Sequence, residues 1–526
     1  MSLYKSFATV GGLTMVSRLL GFVRDQLMAF VLGTGWVADA FIVAFRIPNL
    51  FRRLFAEGAF NSAFVPLFSE RLEGDGHEAA RRFAEEALSG LLLVLGIFTV
   101  LVEIFMPWFM QLIAFGFSGS PEKFDLAVLM SRIAFPYLTC MSLMALYAGV
   151  LSALRHFAVA TAAQVLLNVV LIGVLGFAFW LGLDNSPTAG IMLAAGVTVA
   201  GVLQLAMVAA DAIRRGMRLT LRWPRYTDGL RRLVTLGGPA LLAGGITQIN
   251  IVVGTNIASM QAGANSYLYY ADRLYQLPLG IVGVAIGVVL LPDIARHLRA
   301  GRMAEVTDSQ NRSTEFALLL TLPAAVAFVA IPLPIIQVLF ERGAFTAADT
   351  PPTAWALAAF AFGLPAFVLN KVLSPAYFAR EDSRTPMKFA LVNLLVNASG
   401  SVGLFFLLRH WGYMPHVGIA VATTVAAWIN VFQLWWELRR RGHFQADDRL
   451  QRNLPLILLA SLIMGAVIWL AAGWLTPQLA RASGLLTQLG ALLGLVAGGA
   501  TVFALAIQVA GVADLRKLAA RMAGRR

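Results

Sequence analysis

The sequence predicts an all-α polytopic membrane protein of about fourteen transmembrane helices: two parallel six-helix lobes followed by two C-terminal helices. Three observations carry this. Hydrophobic residues make up 59% of the 526 and charged residues 13%, with a mean hydropathy of +0.74. Soluble domains average about 45–50% apolar and about 25% charged. Apolar runs of about 20 residues, the length that crosses a bilayer core, recur along the whole chain. Finally, the cations sort to alternate loops. Composition also excludes disordered and collagen-like classes. The single cysteine, Cys140, excludes an intramolecular disulfide framework.

The segments follow in order. The first pair, 7–33 and 37–68, carries internal charges. Cleaner apolar runs follow at 84–114, 124–152, 157–182 and 188–212. The second half offers 232–260, 264–294, 313–340, 352–378, 386–408 and 416–437, and 453–475 and 484–511 close the chain. Numbering the loops alternately puts 29 of the 41 Lys and Arg on one side, four on the other and eight inside segments. The four are Lys123, Arg342, Arg409 and Arg481. Such asymmetry is the positive-inside bias, so both termini are expected on the cytoplasmic side. The net charge of +13 then needs no nucleic acid to explain it. The first run is broken by Ser17, Arg18, Arg24 and Asp25, which argues against a cleaved signal peptide.

The halves resemble each other. Pro136 and Pro365, Arg155 and Arg384, and Asn168 and Asn397 are each 229 positions apart. Ala59 and Ala285, Pro66 and Pro292, and Gln111 and Gln337 are 226 apart. An even number of helices per repeat keeps the orientation, which implies parallel lobes around a central cavity. The expected division is 1–217, 218–441 and 442–526, the last holding two helices and a basic tail.

Charges inside segments are expensive, at least about 2.5–3.5 kcal/mol for an arginine at a helix centre, and mark function. Thr14, Ser17, Arg18, Gly21, Arg24, Asp25 and Met28 recur at steps of three and four and share one helical face. Such a stripe needs a wet cavity or a buried partner, and Asp25 is the candidate partner for one arginine. In the second segment Asp39, Arg46, Arg53, Glu57 and Asn61 share a face. Arg52 points about 100° away from Arg53, and Pro48 shifts the phase, so spacing leaves either arginine facing the cavity. Arg273 lies near the middle of the eighth segment. Its neighbour Asp272 is an unsuitable partner, because adjacent helical residues do not face each other. Lys371 and Asn370 fall inside the tenth. Guanidinium forks bind phosphate bidentately, so the expected substrate carries a phosphate or another multivalent anion.

The sequence has no Gly-x4-Gly-Lys-Ser/Thr run and no His-Glu-x2-His run. Built-in ATP hydrolysis and that zinc chemistry are therefore not expected. Its six histidines fall in or beside loops. No cofactor is expected. Drive from the membrane potential, a monovalent cation or the substrate gradient is expected instead.

The run Gly21-Phe22-Val23-Arg24-Asp25, with Ala38-Asp39-Ala40-Phe41 and Phe45-Arg46-Ile47-Pro48-Asn49, resembles the MurJ (MviN) family. So do Arg52-Arg53-Leu54-Phe55-Ala56-Glu57-Gly58-Ala59-Phe60-Asn61 and Tyr270-Ala271-Asp272-Arg273-Leu274. The resemblance spans essentially the whole chain. It implies the fold of the multidrug/oligosaccharidyl-lipid/polysaccharide exporter superfamily. It also implies a flippase that moves lipid II from the cytoplasmic to the periplasmic leaflet of the inner membrane. By resemblance, Arg18, Arg24, Arg52 and Arg273 bind substrate, which favours Arg52 over Arg53. Asp25, Asp39, Arg53, Glu57 and Asp272 become gate or portal groups. Some family members carry a sodium site with acidic ligands. Here Asn370 and Ser374, with Asn250 or Gln248, occupy that stretch, and the carboxylates are absent. Lipid II and membrane lipids are the implied partners, with peptidoglycan-synthesis proteins beside them. An exporter of another polyprenyl-linked oligosaccharide or small anion is the alternative. A membrane enzyme on polyprenyl phosphates lacks a clustered catalytic set here. A non-transporting scaffold would tolerate loss of the arginines.

Overall fold

The computed structural model describes residues 3–53 and 60–512. Among them there are helices and no strand. In chain order they are α1 (Leu3–Leu32), α2 (Trp36–Arg52), α3 (Phe60–Gly74), α4 (Gly76–Ile104), α5 (Met106–Ile113), α6 (Pro121–Ala134) and α7 (Tyr137–Ala153). Then come α8 (Ala158–Trp180), α9 (Pro187–Arg214), α10 (Asp228–Ser259), α11 (Ala264–Arg299), α12 (Met303–Ala330) and α13 (Pro332–Phe340). The chain ends with α14 (Thr350–Phe378), α15 (Arg384–His410), α16 (Pro415–Arg440), α17 (Asp448–Trp474), α18 (Thr476–Leu479) and α19 (Leu485–Val509).

The local sequence sets these boundaries. Ser186, Thr227 and Asp447 cap α9, α10 and α17 by accepting from the amides of Ala189, Leu230 and Leu450. Pro187, Pro121, Pro332 and Pro415 open helices at a position where no amide is needed. Three runs expected to be continuous are broken in two. The 84–114 run divides at Phe105, 124–152 divides at Phe135-Pro136, and 313–340 divides at Ile331. Proline follows each break within two residues, and it cannot continue the i−4 ladder.

Among the described residues, ten stretches are long and apolar enough to span a membrane, with α6 and α7 counted as one. Of the helices outside that set, α1, α2 and α11 carry the internal arginines. Wide apolar faces are exposed along the spans, for example Leu93, Val94, Ile97 and Val100 on α4 and Leu459, Leu462, Ile463 and Leu470 on α17. In water these faces would be a liability, but a bilayer is the solvent that suits them.

The chain forms two compact units. The first is Met1–Ser266 with Arg342–Phe345, and the second is Tyr267–Glu341 with Thr346–Arg526. In the first, α8 packs on α1 and α9, α7 and α6 pack on α9, α2 packs on α6, and α10 packs on α3, α4 and α5. Gly33 (φ 63°) is required where α1 ends, because a Cβ there would lie 2.4 Å from the Ala344 carbonyl oxygen. In the second unit α14 packs on α12 and α16, α15 on α16, and α17 on α12 and α19. A core of Leu373, Tyr377, Leu434, Leu438, Phe444 and Leu450 fills one end.

The pairing of α7 with α9 and α8 with α9 recurs as α14 with α16 and α15 with α16. Side-chain bonds fix the register. Thr198 donates to the Ile133 carbonyl at 2.5 Å, and Thr424 donates to the Ala359 carbonyl at 2.8 Å. Arg155 (φ 61°) and Glu381 (φ 60°) repeat one backbone turn, and Gly216 (φ 83°) and Gly442 (φ 69°) another. All these pairs are 226 apart. The 229 spacing of Asn168 and Asn397 is therefore nearly one helical turn beyond the structural register.

Candidate functional site

On α1, the stripe of polar residues runs from surface to interior. Arg18 is exposed, Ser17 and Gly21 are half-buried, and Arg24 and Asp25 are buried at 8% and 2% exposure. Arg24 donates to Asp25 Oδ1 through Nε at 3.0 Å and Nη2 at 2.7 Å. Its Nη1 donates to Asn168 Oδ1 at 2.9 Å, and Asn168 Nδ2 donates to the Ser17 carbonyl at 3.0 Å. Adjacent helical residues do not face each other by backbone geometry. The long guanidinium stem overcomes this by folding back onto its neighbour. The result is a charge-neutral, hydrogen-bonded pair set between α1 and α8.

On α2, Arg52 is half-buried and its Nε donates to Asn49 Oδ1 at 3.1 Å, while Arg53 is exposed. Asn49 in turn donates to the Phe45 carbonyl at 2.7 Å. Glu57 lies outside the described residues. Asp39 is fully buried and both its oxygens are engaged. Oδ2 accepts from Lys123 Nζ at 2.7 Å and the Gly263 amide at 2.9 Å. Oδ1 accepts from the Ser266 amide at 3.0 Å and hydroxyl at 2.7 Å. Lys123 also sits 4.1 Å over the Phe117 ring. Arg46 Nη1 donates to Thr255 Oγ1 at 2.8 Å and Asn265 Oδ1 at 3.1 Å.

Sequence reasoning gave neither Lys123 nor Arg46 a role. The available signal was Lys123's rarity as one of four cations on the sparse side. Arg46 shares the Asp39 face, and that face meets the end of α10 and the start of α11.

In the second unit, Arg273 stacks over the Tyr269 ring at 4.5 Å, one turn back. Asp272 accepts instead from Gln276, one turn on. Lys371 is exposed along α14, a helix otherwise largely buried. Ser374 donates to Asn370 Oδ1 at 2.9 Å, so the amide oxygen offered to a cation already holds a hydroxyl. Asn250 is half-buried on α10. No cluster of three or more His, Cys, Asp or Glu suited to a metal occurs among the described residues.

Chemically, guanidinium groups and a lysine lie on long helices among apolar neighbours. Such groups are retained in membranes where an anion or a moving gate needs them. The fold and these sites define a polytopic helical membrane protein of the carrier type.

The family model described as "Lipid II flippase MurJ" matches residues 28–514. A "Probable lipid II flippase MurJ" of Rhizobium meliloti (strain 1021) is 48% identical over 97% of this chain and 95% of its own length. One of Rickettsia prowazekii (strain Madrid E) is 34% identical over 89% and 90%. The chain belongs to the lipid II flippase MurJ family. A solved structure titled "Lipid II flippase MurJ, inward closed conformation" superposes with a TM-score of 0.77 at 26% identity, covering 95% of this chain and 98% of that one. An inward-facing multidrug resistance MATE family transporter of the MOP superfamily shares the fold, with a TM-score of 0.67 at 15% identity over 83% and 98%.

Proposed function

We propose that this chain flips lipid II from the cytoplasmic to the periplasmic leaflet of the inner membrane, in which it is a multi-pass protein with both termini cytoplasmic. The observation that carries the reading is the family match across residues 28–514. The chemistry agrees with it. A pyrophosphate needs cationic forks at membrane depth, and Arg24 and Arg52 in the first half and Arg273 in the second supply them.

Arg24 and Asp25 form a stored ion pair that an arriving pyrophosphate can exchange with, charge for charge. Such exchange keeps the desolvation cost of the buried guanidinium covered before and after binding. Arg18, exposed on the same stripe, meets the anion first. Asp39, held by Lys123 and the start of α11, acts as a gate: its bonds must break for α2 and α11 to part. The substrate biases the two states only by its difference in affinity for them. The chain acts as a transporter and not a catalyst. Membrane potential or a monovalent cation drives the cycle.

The test is the outward-exposed fraction of lipid II in cells depleted of their native flippase. Wild type should restore exposure, and the variant carrying Arg24→Ala, Arg52→Ala and Arg273→Ala should not, at equal membrane levels. Failure of well-inserted wild type would assign another lipid-linked substrate. Equal restoration by both would retain flipping and remove these arginines from the mechanism.

A further inference from the structure

Between α9 and α10 the chain runs as an extended strap, residues 217–227, and its sequence is unusual. Arg214, Arg215, Arg218, Arg222 and Arg225 fall within twelve positions, and no Asp or Glu occurs from 212 to 227. Interleaved with them, Leu221, Trp223 and Tyr226 are 66%, 85% and 72% exposed.

The strap is pinned. Glu85 on α4 is fully buried and takes the Thr220 amide at 3.1 Å, the Thr220 hydroxyl at 2.8 Å and Arg222 Nε at 2.5 Å. Ser89 accepts from the Arg222 amide at 3.1 Å, and Glu86 accepts from the Thr227 hydroxyl at 2.7 Å. In an extended chain alternate residues point to opposite sides. With Thr220 and Arg222 drawn to α4, Leu221 and Trp223 point away from it. The side chains of Arg218 and Arg225 hold no partner among the described residues.

Depth follows from helix geometry. Leu93, the first exposed large apolar residue of α4, lies four positions after Ser89, about 6 Å along the axis. On α9 the exposed apolar face runs to Ile213, and on α10 it resumes at Val234. The strap is thus set about one headgroup layer outside the apolar bands of three helices. The corresponding loop after α16 behaves differently, since its aromatic residue Phe444 is 5% exposed and packed in the core. The strap thus exposes aromatic rings where the loop after α16 buries its own.

We propose that this strap is a binding surface for anionic phospholipid headgroups. Leu221, Trp223 and Tyr226 sit at the interface, and Arg218 and Arg225 hold lipid phosphates. Aromatic rings favour that depth, and each arginine near an anionic surface adds about a fivefold preference. The buried Glu85 serves to present the strap at a fixed height.

The test uses the full chain with Cys140→Ala and Leu221→Cys, labelled with an environment-sensitive fluorophore, in nanodiscs. Phosphatidylglycerol is titrated into phosphatidylcholine. Label emission should shift blue as the anionic lipid rises, and the shift should be lost in high salt, where charges are screened within about 3 Å. Adding Arg218→Gln and Arg225→Gln should weaken the preference for the anionic lipid by about 25-fold, the product of two fivefold losses. Emission unchanged by lipid, or an equal blue shift in pure phosphatidylcholine, would overturn the proposal.

Discussion

The end of α9 and the end of α16 carry the same ionic clasp with one partner exchanged. Arg215 donates through Nε to Asp211, four residues back, at 2.9 Å, and its Nη1 meets His156 Nε2 at 2.8 Å. Arg441 donates through Nε to Glu437, four residues back, at 2.7 Å, and through Nη1 to Asp382 at 2.7 Å. Every pair is 226 apart. Each arginine ties its helix end to the turn before α8 or α15. The architecture needs a clasp at this place, and the chemistry of the partner is free to drift. The membrane-depth sites behave otherwise. Asn168 on α8 carries the guanidinium of Arg24, whereas Asn397 on α15 accepts from the hydroxyls of Thr423 at 3.1 Å and Ser401 at 3.4 Å. The repeat thus preserves its loop clasps, while the buried Arg–Asp pair on α1 is tied to the α8 asparagine.

The largest effect that sharpens this contrast should come from Arg24→Ala. Removing one member of a buried pair leaves the Asp25 carboxylate without its guanidinium, a cost of about 3–5 kcal/mol. Thermal stability in detergent should fall accordingly, and lipid II exposure should be lost. Arg24→Ala with Asp25→Ala should recover much of the stability and none of the exposure. Recovery of exposure would make the pair a structural brace.

Next in size is a matched pair of substitutions. Asn168→Leu breaks a bond to a charged group, worth about 1.5–3 kcal/mol, and releases Arg24 from its orientation. Asn397→Leu breaks a neutral interhelical bond from Thr423, of a kind that averages about 0.6 kcal/mol in membranes, and a bond from Ser401 within α15. Flipping should drop sharply in the first and stay near wild type in the second. Equal losses would mean that both halves use this helix in the same way.

The sequence made the helices legible because bilayer-length apolar runs leave little choice of structure. Periodicity also put Arg24 and Asp25 on one stripe, and Asp39 and Arg46 on one face. It gave no access to partners far along the chain. Lys123 is 84 positions from Asp39, and Thr255 and Asn265 are 209 and 219 from Arg46. Such contacts depend on how whole helices pack, which local spacing does not encode. Glu85 has no role in the sequence reading, and only the folded strap shows why it is buried. The family resemblance supplied the substrate, because an arginine stripe alone specifies an anion and not which one.

The smallest effect tests the clasp itself. Burial alone would raise the Asp382 pKa. The hydroxyl and amide of Thr385 and the Arg441 guanidinium outweigh it and hold the carboxyl at about 2, below its usual 3.8. A carboxyl lowered on folding stabilises the protein above its unfolded pKa, and this stability is lost as pH falls through about 2. The contribution is about 1 kcal/mol or less, because Arg441 is partly exposed to water. Asp382→His installs the first-half partner in the second half. An imidazole accepts from a guanidinium only when neutral, so that clasp should weaken on the acid side of neutrality instead. His156→Asp makes the reverse exchange and should raise stability slightly at pH 7, since a carboxylate bonds a guanidinium in either oxygen's direction. Thermal midpoints at pH 7, 5 and 3 decide the matter. If Asp382→His keeps the wild-type pH profile, the partner at this position does not govern the clasp, and the equivalence of the two helix ends is one of shape alone.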